Sequence, residues 1–162
     1  MHHRSRQAVR AVLVTPDQRI LLMRLIHASR PFWITPGGGI EAGESDAMAM
    51  TRELAEETGL QTFELGPCLW TRETTYTLDA NTSDAVEVAQ SERFYLVRTD
   101  PFEPSAAGMP PEAERDWFQG FEWHSLNTLR ALTERVVPTG LDQHLEHLFV
   151  HGPPTNPRPI PR

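Results

Sequence analysis

The chain has 162 residues and the composition of an ordinary soluble globular protein, with 39% apolar and 23% charged residues. Its formal net charge of -7 leaves no basic surplus to neutralise a phosphate backbone, which argues against non-specific nucleic-acid binding; a phosphorylated small molecule stays open if metal ions supply positive charge. The single Cys68 cannot close an internal disulfide and fits a reducing cytoplasm, and no apolar run reaches the length of a membrane span or a signal h-region.

In chain order, "VRAVLVTPDQRILLMRL" predicts two apolar strands around the turn-forming Pro16-Asp17-Gln18. A third, short strand is expected around Phe32 to Thr35, ending at Pro36. Gly37-Gly38-Gly39 follow. One glycine would serve a turn, so three imply backbone that passes close to something or takes up dihedrals closed to residues with a Cβ. "SDAMAMTRELAEET" then holds helix formers and neither Gly nor Pro; Ser45 has the chemistry of an N-cap, Asp46 sits in the first turn and Gly59 suits C′. Strand-like runs follow around Leu65 to Thr77, Ser91 to Thr99 and Phe121 to His124, and two helices, Ser125 to Arg135 and Leu141 to His151, close the domain. The end, "GPPTNPRPIPR", holds five prolines in eleven residues. Residues 1–152 are therefore expected to form one domain, and 153–162 an extended or disordered tail that adds little to the core. The mix of strands and helices predicts an α/β sandwich.

On the central helix, consecutive residues turn by about 100°. Glu53, Glu56 and Glu57 then share one sector, while Leu54, Met50 and Ala47 fall in the neighbouring one and supply the buried stripe. Like charges at these spacings destabilise a helix modestly, so something must offset them. Hard oxygen donors gathered without thiols suit magnesium or manganese. A Glu-rich face alone is most often only solvated. Its spacing from the glycines changes that reading.

Gly38, five residues, Glu44, seven residues, then "RELAEETGL" from Arg52 to Leu60 resembles the Nudix box: a Gly, a Glu, then Arg-Glu-apolar-any-Glu-Glu-any-Gly-apolar, over 23 residues. Every specified position matches, namely Gly38, Glu44, Arg52, Glu53, Leu54, Glu56, Glu57, Gly59 and Leu60. With Trp33 and "PGG" as lead-in, the resemblance covers about residues 8 to 151 and implies a Nudix-type α/β/α sandwich with a mixed β-sheet. It also implies a hydrolase using Mg2+ or Mn2+ to cleave the pyrophosphate linkage of a nucleoside diphosphate linked to another moiety. The alternative is a non-catalytic Nudix-fold nucleotide-binding or regulatory module, but such members typically lose box carboxylates and none is lost here. Neither a stable nucleic-acid partner nor a membrane is expected; a monomer and a homodimer both stay open.

By the same resemblance, Glu53, Glu56, Glu57 and the Gly37 carbonyl are the metal ligands, Glu44 belongs to the outer sphere, and Arg52, one turn from Glu56, orients a carboxylate. Glu53 is one candidate base for the attacking water. The other is a loop acid outside the box: Glu114 in "PPEAERDW" is narrowly favoured over Glu112, with Glu92 before "RFYLVR" as a further alternative. Tyr76, 16 residues after Leu60, resembles the spacing in members that act on dinucleoside polyphosphates, whereas Pro67 lies too close to the box to resemble ADP-ribose hydrolases. Trp33, Trp70, Trp117 and Trp123 are expected as core or pocket-wall residues, and His27, His124, His144 and His147 as surface residues rather than a second metal site.

Overall fold

The run "AVRAVLV" buries both sides of β1 (His2–Val14): Val9, Ala11 and Leu13 are fully enclosed on one face, and Ala8 and Val12 on the other. A strand covered on both faces belongs at the centre of a sheet. The computed structural model, which describes residues 2–78, 81, 83–111 and 117–162, places it there. The further strands are β2 (Ile20–His27), β3 (Arg30–Ile34), β4 (Gly37–Gly39), β5 (Cys68–Leu78), β6 (Val86–Arg98), β7 (Phe118–His124), β8 (Arg135–Val137) and β9 (Arg158–Pro159). They form one mixed sheet in the order β8-β3-β2-β1-β6-β5-β9, with β4 paired to β1 and β7 to β2. The pairs β1–β6, β3–β8 and β5–β9 are parallel and the others antiparallel.

Helix α1 (Asp46–Thr58) lies on one face, its Ala49, Met50 and Leu54 packed with Val9, Ala11, Leu13, Leu21 and Val97. Helices α2 (Leu126–Arg130) and α3 (Leu141–His151) cover the other, where Leu129, Leu141, Leu145 and Leu148 join Val12, Trp70 and Phe94. This is the expected α/β/α arrangement around a mixed sheet.

Several local expectations change. The glycines are themselves a strand, β4, which their low strand propensity did not suggest. The helix expected over Ser125 to Arg135 ends at Arg130, and Arg135–Val137 becomes β8. Ala47 is exposed and Ala49 takes its place in the buried stripe. The Pro-rich tail is extended, but it does not stay outside the core. β9 adds to the edge of β5, the Ile160 amide donates to the Thr71 carbonyl at 2.8 Å, and the Ile160 side chain is buried in the cluster around Trp70.

Candidate active site

Two local devices fix α1 against the glycine strand. Ser45 Oγ accepts from the Met48 amide at 3.2 Å, and Gly59, in the left-handed region at φ 77°, closes the other end by donating to the Ala55 carbonyl. Between the caps, Ala49, Glu53 and Glu57 succeed one another four residues apart and all are buried. The helix therefore turns two of its acids toward β4.

β4 runs closer to its neighbours than side chains would allow. Gly37, at φ 138°, lies against β1, where an added Cβ would stand 2.1 Å from the Val9 carbonyl oxygen. At Gly38 a Cβ would stand 2.5 Å from Glu53 Oε1. The first glycine lets two strands meet and the second leaves room for a carboxylate. A Cβ at Gly39 would meet the guanidinium of Arg6, which itself donates to the Tyr76 hydroxyl at 3.2 Å.

The acids are held by specific donors. The Gly37 amide donates to Glu57 Oε2 at 2.7 Å. Arg52 forks across the site: its Nε and NH2 donate to the two oxygens of Glu44 at 2.8 and 2.9 Å, NH2 also reaches the Gly39 carbonyl at 2.9 Å, and NH1 donates to Glu53 Oε1 at 2.7 Å. Glu56, its expected partner, is more distant at 3.6 Å. Hydrogen bonds from Arg52, and from the Glu41 amide, pull the Glu44 carboxyl down to about 2, and hydrogen bonding to Glu44, opposed by desolvation, raises Arg52 in turn. Arg52 thus offsets the like-charge repulsion that the helix spacing creates.

Glu92 is not an acid on a loop. It lies within β6 with its side chain fully buried, and Arg10, Arg72 and Gln90 donate to its two oxygens. That environment suits a structural carboxylate better than a base that must meet water. Glu112 and Glu114 lie outside the described residues.

Beside Glu57 and Gly37 opens a cavity of about 180 Å³. Arg10, Gly37 and Glu57 are its polar lining, and Met23, Leu25, Phe32, Ile34, Met109 and Trp117 its apolar lining. Trp117 also packs against His27, ring centroids 4.5 Å apart and the planes tilted by 52°. Trp33 and Trp70 are core residues, and Trp123 donates to the Phe102 carbonyl at 3.3 Å. His124 departs from the surface expectation: it is buried edge-on to Trp33, and desolvation pushes its pKa down. His144 packs against Trp70 with the two rings tilted.

The glutamates and the Gly37 carbonyl are hard oxygen donors of the kind that suits magnesium or manganese, and Gly38 clears space for Glu53. Among the described residues, no three His, Cys, Asp or Glu side chains are gathered as a ready-made metal cage. The donor chemistry fits a divalent ion; the carboxylates are engaged by Arg52 and the Gly37 amide.

A glycine strand laid under a helix of acids, on a mixed sheet with helices on both faces, is the architecture of a Nudix-fold protein. The NUDIX domain family matches residues 4–144, and the chain belongs to that family. Solved structures of the same fold include the E. coli dihydroneopterin triphosphate pyrophosphohydrolase, with TM-score 0.62 at 17% identity over 89% of this chain and 94% of that one. MutT from Aliivibrio salmonicida and Vibrio cholerae gives TM-score 0.56 at 24% identity over 91% of this chain and 98% of that one. In sequence, the RNA pyrophosphohydrolase of Caulobacter vibrioides is 43% identical over 65 residues, which is 40% of this chain and 38% of that protein. The octanoyltransferase of Myxococcus xanthus is 50% identical over 46 residues, 28% of this chain and 13% of that protein. The chain thus spans 38% of the length of the first of these relatives. No helix among the described residues is long and apolar enough to cross a membrane.

Proposed function

We propose that the chain is a divalent-metal-dependent pyrophosphohydrolase acting on a nucleoside diphosphate linked to another moiety. The observation that carries this reading is that Glu57 and Gly37 belong at once to the acid cluster and to the lining of the largely apolar cavity. A substrate can therefore place a charged pyrophosphate at the acids while a ring enters the cavity. At about 180 Å³ the cavity falls below the several hundred Å³ of a full small-molecule site, so it takes one ring system and not a whole nucleotide.

Glu53, Glu56, Glu57 and the Gly37 carbonyl would hold Mg2+ or Mn2+. The bound cation supplies neutralisation of the pyrophosphate charge and a lowered pKa for a water nucleophile. The chain's own groups do the positioning. Arg52 fixes the rotamer of Glu53 and ties it to Glu44, the Gly37 amide fixes Glu57, and the apolar side chains of the cavity offer the ring a packing surface. The candidate bases are Glu53 and a loop acid, with Glu114 favoured over Glu112; the burial of Glu92 makes it the least suited of the four. The name of the Caulobacter relative supports including a triphosphorylated RNA 5′ end among the substrates tested, whereas the acidic balance of this chain argues against long RNA.

The test is a nucleotide panel that includes a short 5′-triphosphate RNA, with phosphate or pyrophosphate release followed in Mg2+ and in Mn2+. Hydrolysis of at least one substrate class, abolished by EDTA and restored by metal, is expected. Binding of nucleotides without turnover would favour the non-catalytic module, and full activity after verified metal removal would sink the mechanism.

A further inference from the structure

The acid cluster is braced from behind by residues outside the Nudix box. Glu92 of β6 stands between Ala8 of β1 and Arg72 of β5 in the sheet register. The small Ala8 leaves space on that face, and Arg10, two residues along β1, reaches back diagonally. Glu92 accepts from Arg10 Nε at 3.0 Å, Arg72 Nε at 2.6 Å and Gln90 Nε2 at 3.0 Å. Arg10 is also the register partner of Gly37 across β1 and β4, and its NH1 donates to the Gly37 carbonyl at 3.1 Å. The Gly37 amide in turn holds Glu57. One unbroken path of polar contacts therefore runs from Arg72 through Glu92, Arg10 and Gly37 to Glu57.

Charge and burial give this path a purpose beyond packing. Two arginines on one carboxylate leave a surplus positive charge, and Arg10 presents it to the acid cluster. Burial pushes the Arg10 pKa down, but Glu92 and Glu57 outweigh that effect and raise it. A buried ion pair adds little stability over apolar packing, because desolvation cancels most of the attraction. What it does supply is a fixed geometry: a planar guanidinium with one edge on Glu92 can present another edge in only one direction.

We propose that Glu92 and Arg10 are positioning residues, which fix the Gly37 carbonyl and, through the Gly37 amide, the Glu57 carboxylate in the arrangement that binds metal. This rests on the pyrophosphohydrolase reading for its purpose, but not for its test. In the full-length 15N-labelled protein without metal, Glu92→Gln and Arg10→Lys should each speed exchange of the Gly37 amide about tenfold, while the amides of α1 keep wild-type protection. In the same variants, Mn2+ affinity measured by electron paramagnetic resonance without substrate should weaken roughly tenfold, the low end of the effect of groups that orient metal ligands. Lysine keeps the charge of Arg10 but offers one nitrogen in place of the planar fork whose two nitrogens meet Glu92 and Gly37, so Arg10→Lys decides the matter if Glu92→Gln does not fold. Gly37 exchange within about twofold of wild type in the folded variants would overturn the proposal. If the wild-type protein binds no Mn2+, the metal reading falls instead, and Gly37 exchange alone decides the positioning role.

Discussion

Ile160→Ala tests whether the chain's end belongs to its core. Ile160 is 8% exposed and packs in the cluster that holds Trp70 and Phe94, although it lies in a tail of prolines. The substitution removes most of the side chain at ~0.8 kcal/mol per buried methylene, or about 2.4 kcal/mol, and leaves a small cavity. A site this close to the chain end can collapse, so we take about 2 kcal/mol, the low end of the range for such truncations. At roughly 2–4 °C per kcal/mol for a domain of this size, the melting temperature should fall by about 4–8 °C in scanning calorimetry at neutral pH. Asn156→Ala, in an exposed part of the same tail, should leave it unchanged. A shift of less than about 1 °C for Ile160→Ala would refute the docking of β9 on β5 in solution.

Three further predictions concern the site. Glu57→Gln keeps the size of the side chain but removes its charge, and turnover should fall at least about a hundredfold with the circular dichroism spectrum retained; near wild-type rates would remove Glu57 from the ligand set. Arg52→Met should let Glu44 titrate well above its wild-type value of about 2 in carboxyl NMR, though still below its ordinary range because the Glu41 amide remains. Since the folded-state pKa of Glu44 is depressed, its contribution to stability is present above its ordinary pKa and is lost as pH falls toward about 2; an unchanged titration in Arg52→Met would disprove the coupling. Glu114→Gln should lower turnover about tenfold with Mn2+ affinity kept while Glu112→Gln changes little, and the reverse pattern would transfer the base role to Glu112.

How far the sequence anticipates the structure depends on how local each signal is. The caps of α1 were legible because Ser45 and Gly59 act within one turn of themselves. The box was legible because its nine specified positions lie within 23 residues. Helical arithmetic gathered the acids but not the face they turn inward: Ala49 and not Ala47 is buried, because Glu53 and Glu57 themselves occupy the side that meets β4. β4 and β9 carry glycine and proline, which do not signal strands; partner strands impose them, β1 on one and β5 on the other. Glu92 was the hardest to read, since its donors Arg10 and Arg72 lie 82 and 20 residues away and only the sheet register brings them together. Nothing in "SERFYLVR" shows a buried carboxylate.

The two arginines of the site solve one electrostatic problem from opposite sides. The carboxylates of α1 and the carbonyls of β4 are all acceptors, and gathered together they repel. Arg52 approaches from the helix side and donates to the Gly39 carbonyl while gripping Glu44 and Glu53. Arg10 approaches from the sheet side and donates to the Gly37 carbonyl while gripping Glu92. A three-residue strand with no side chains is thus clamped at both ends by guanidinium groups, each tied to a carboxylate that is not one of the proposed ligands. The difference between the two lies in where the information resides. Arg52 belongs to the box and finds its partners within thirteen residues, whereas Arg10 depends on β1, β4 and β6 lying in register. A sequence that kept every box residue but lost that register would retain the acids and lose the inner clamp on the strand that positions them.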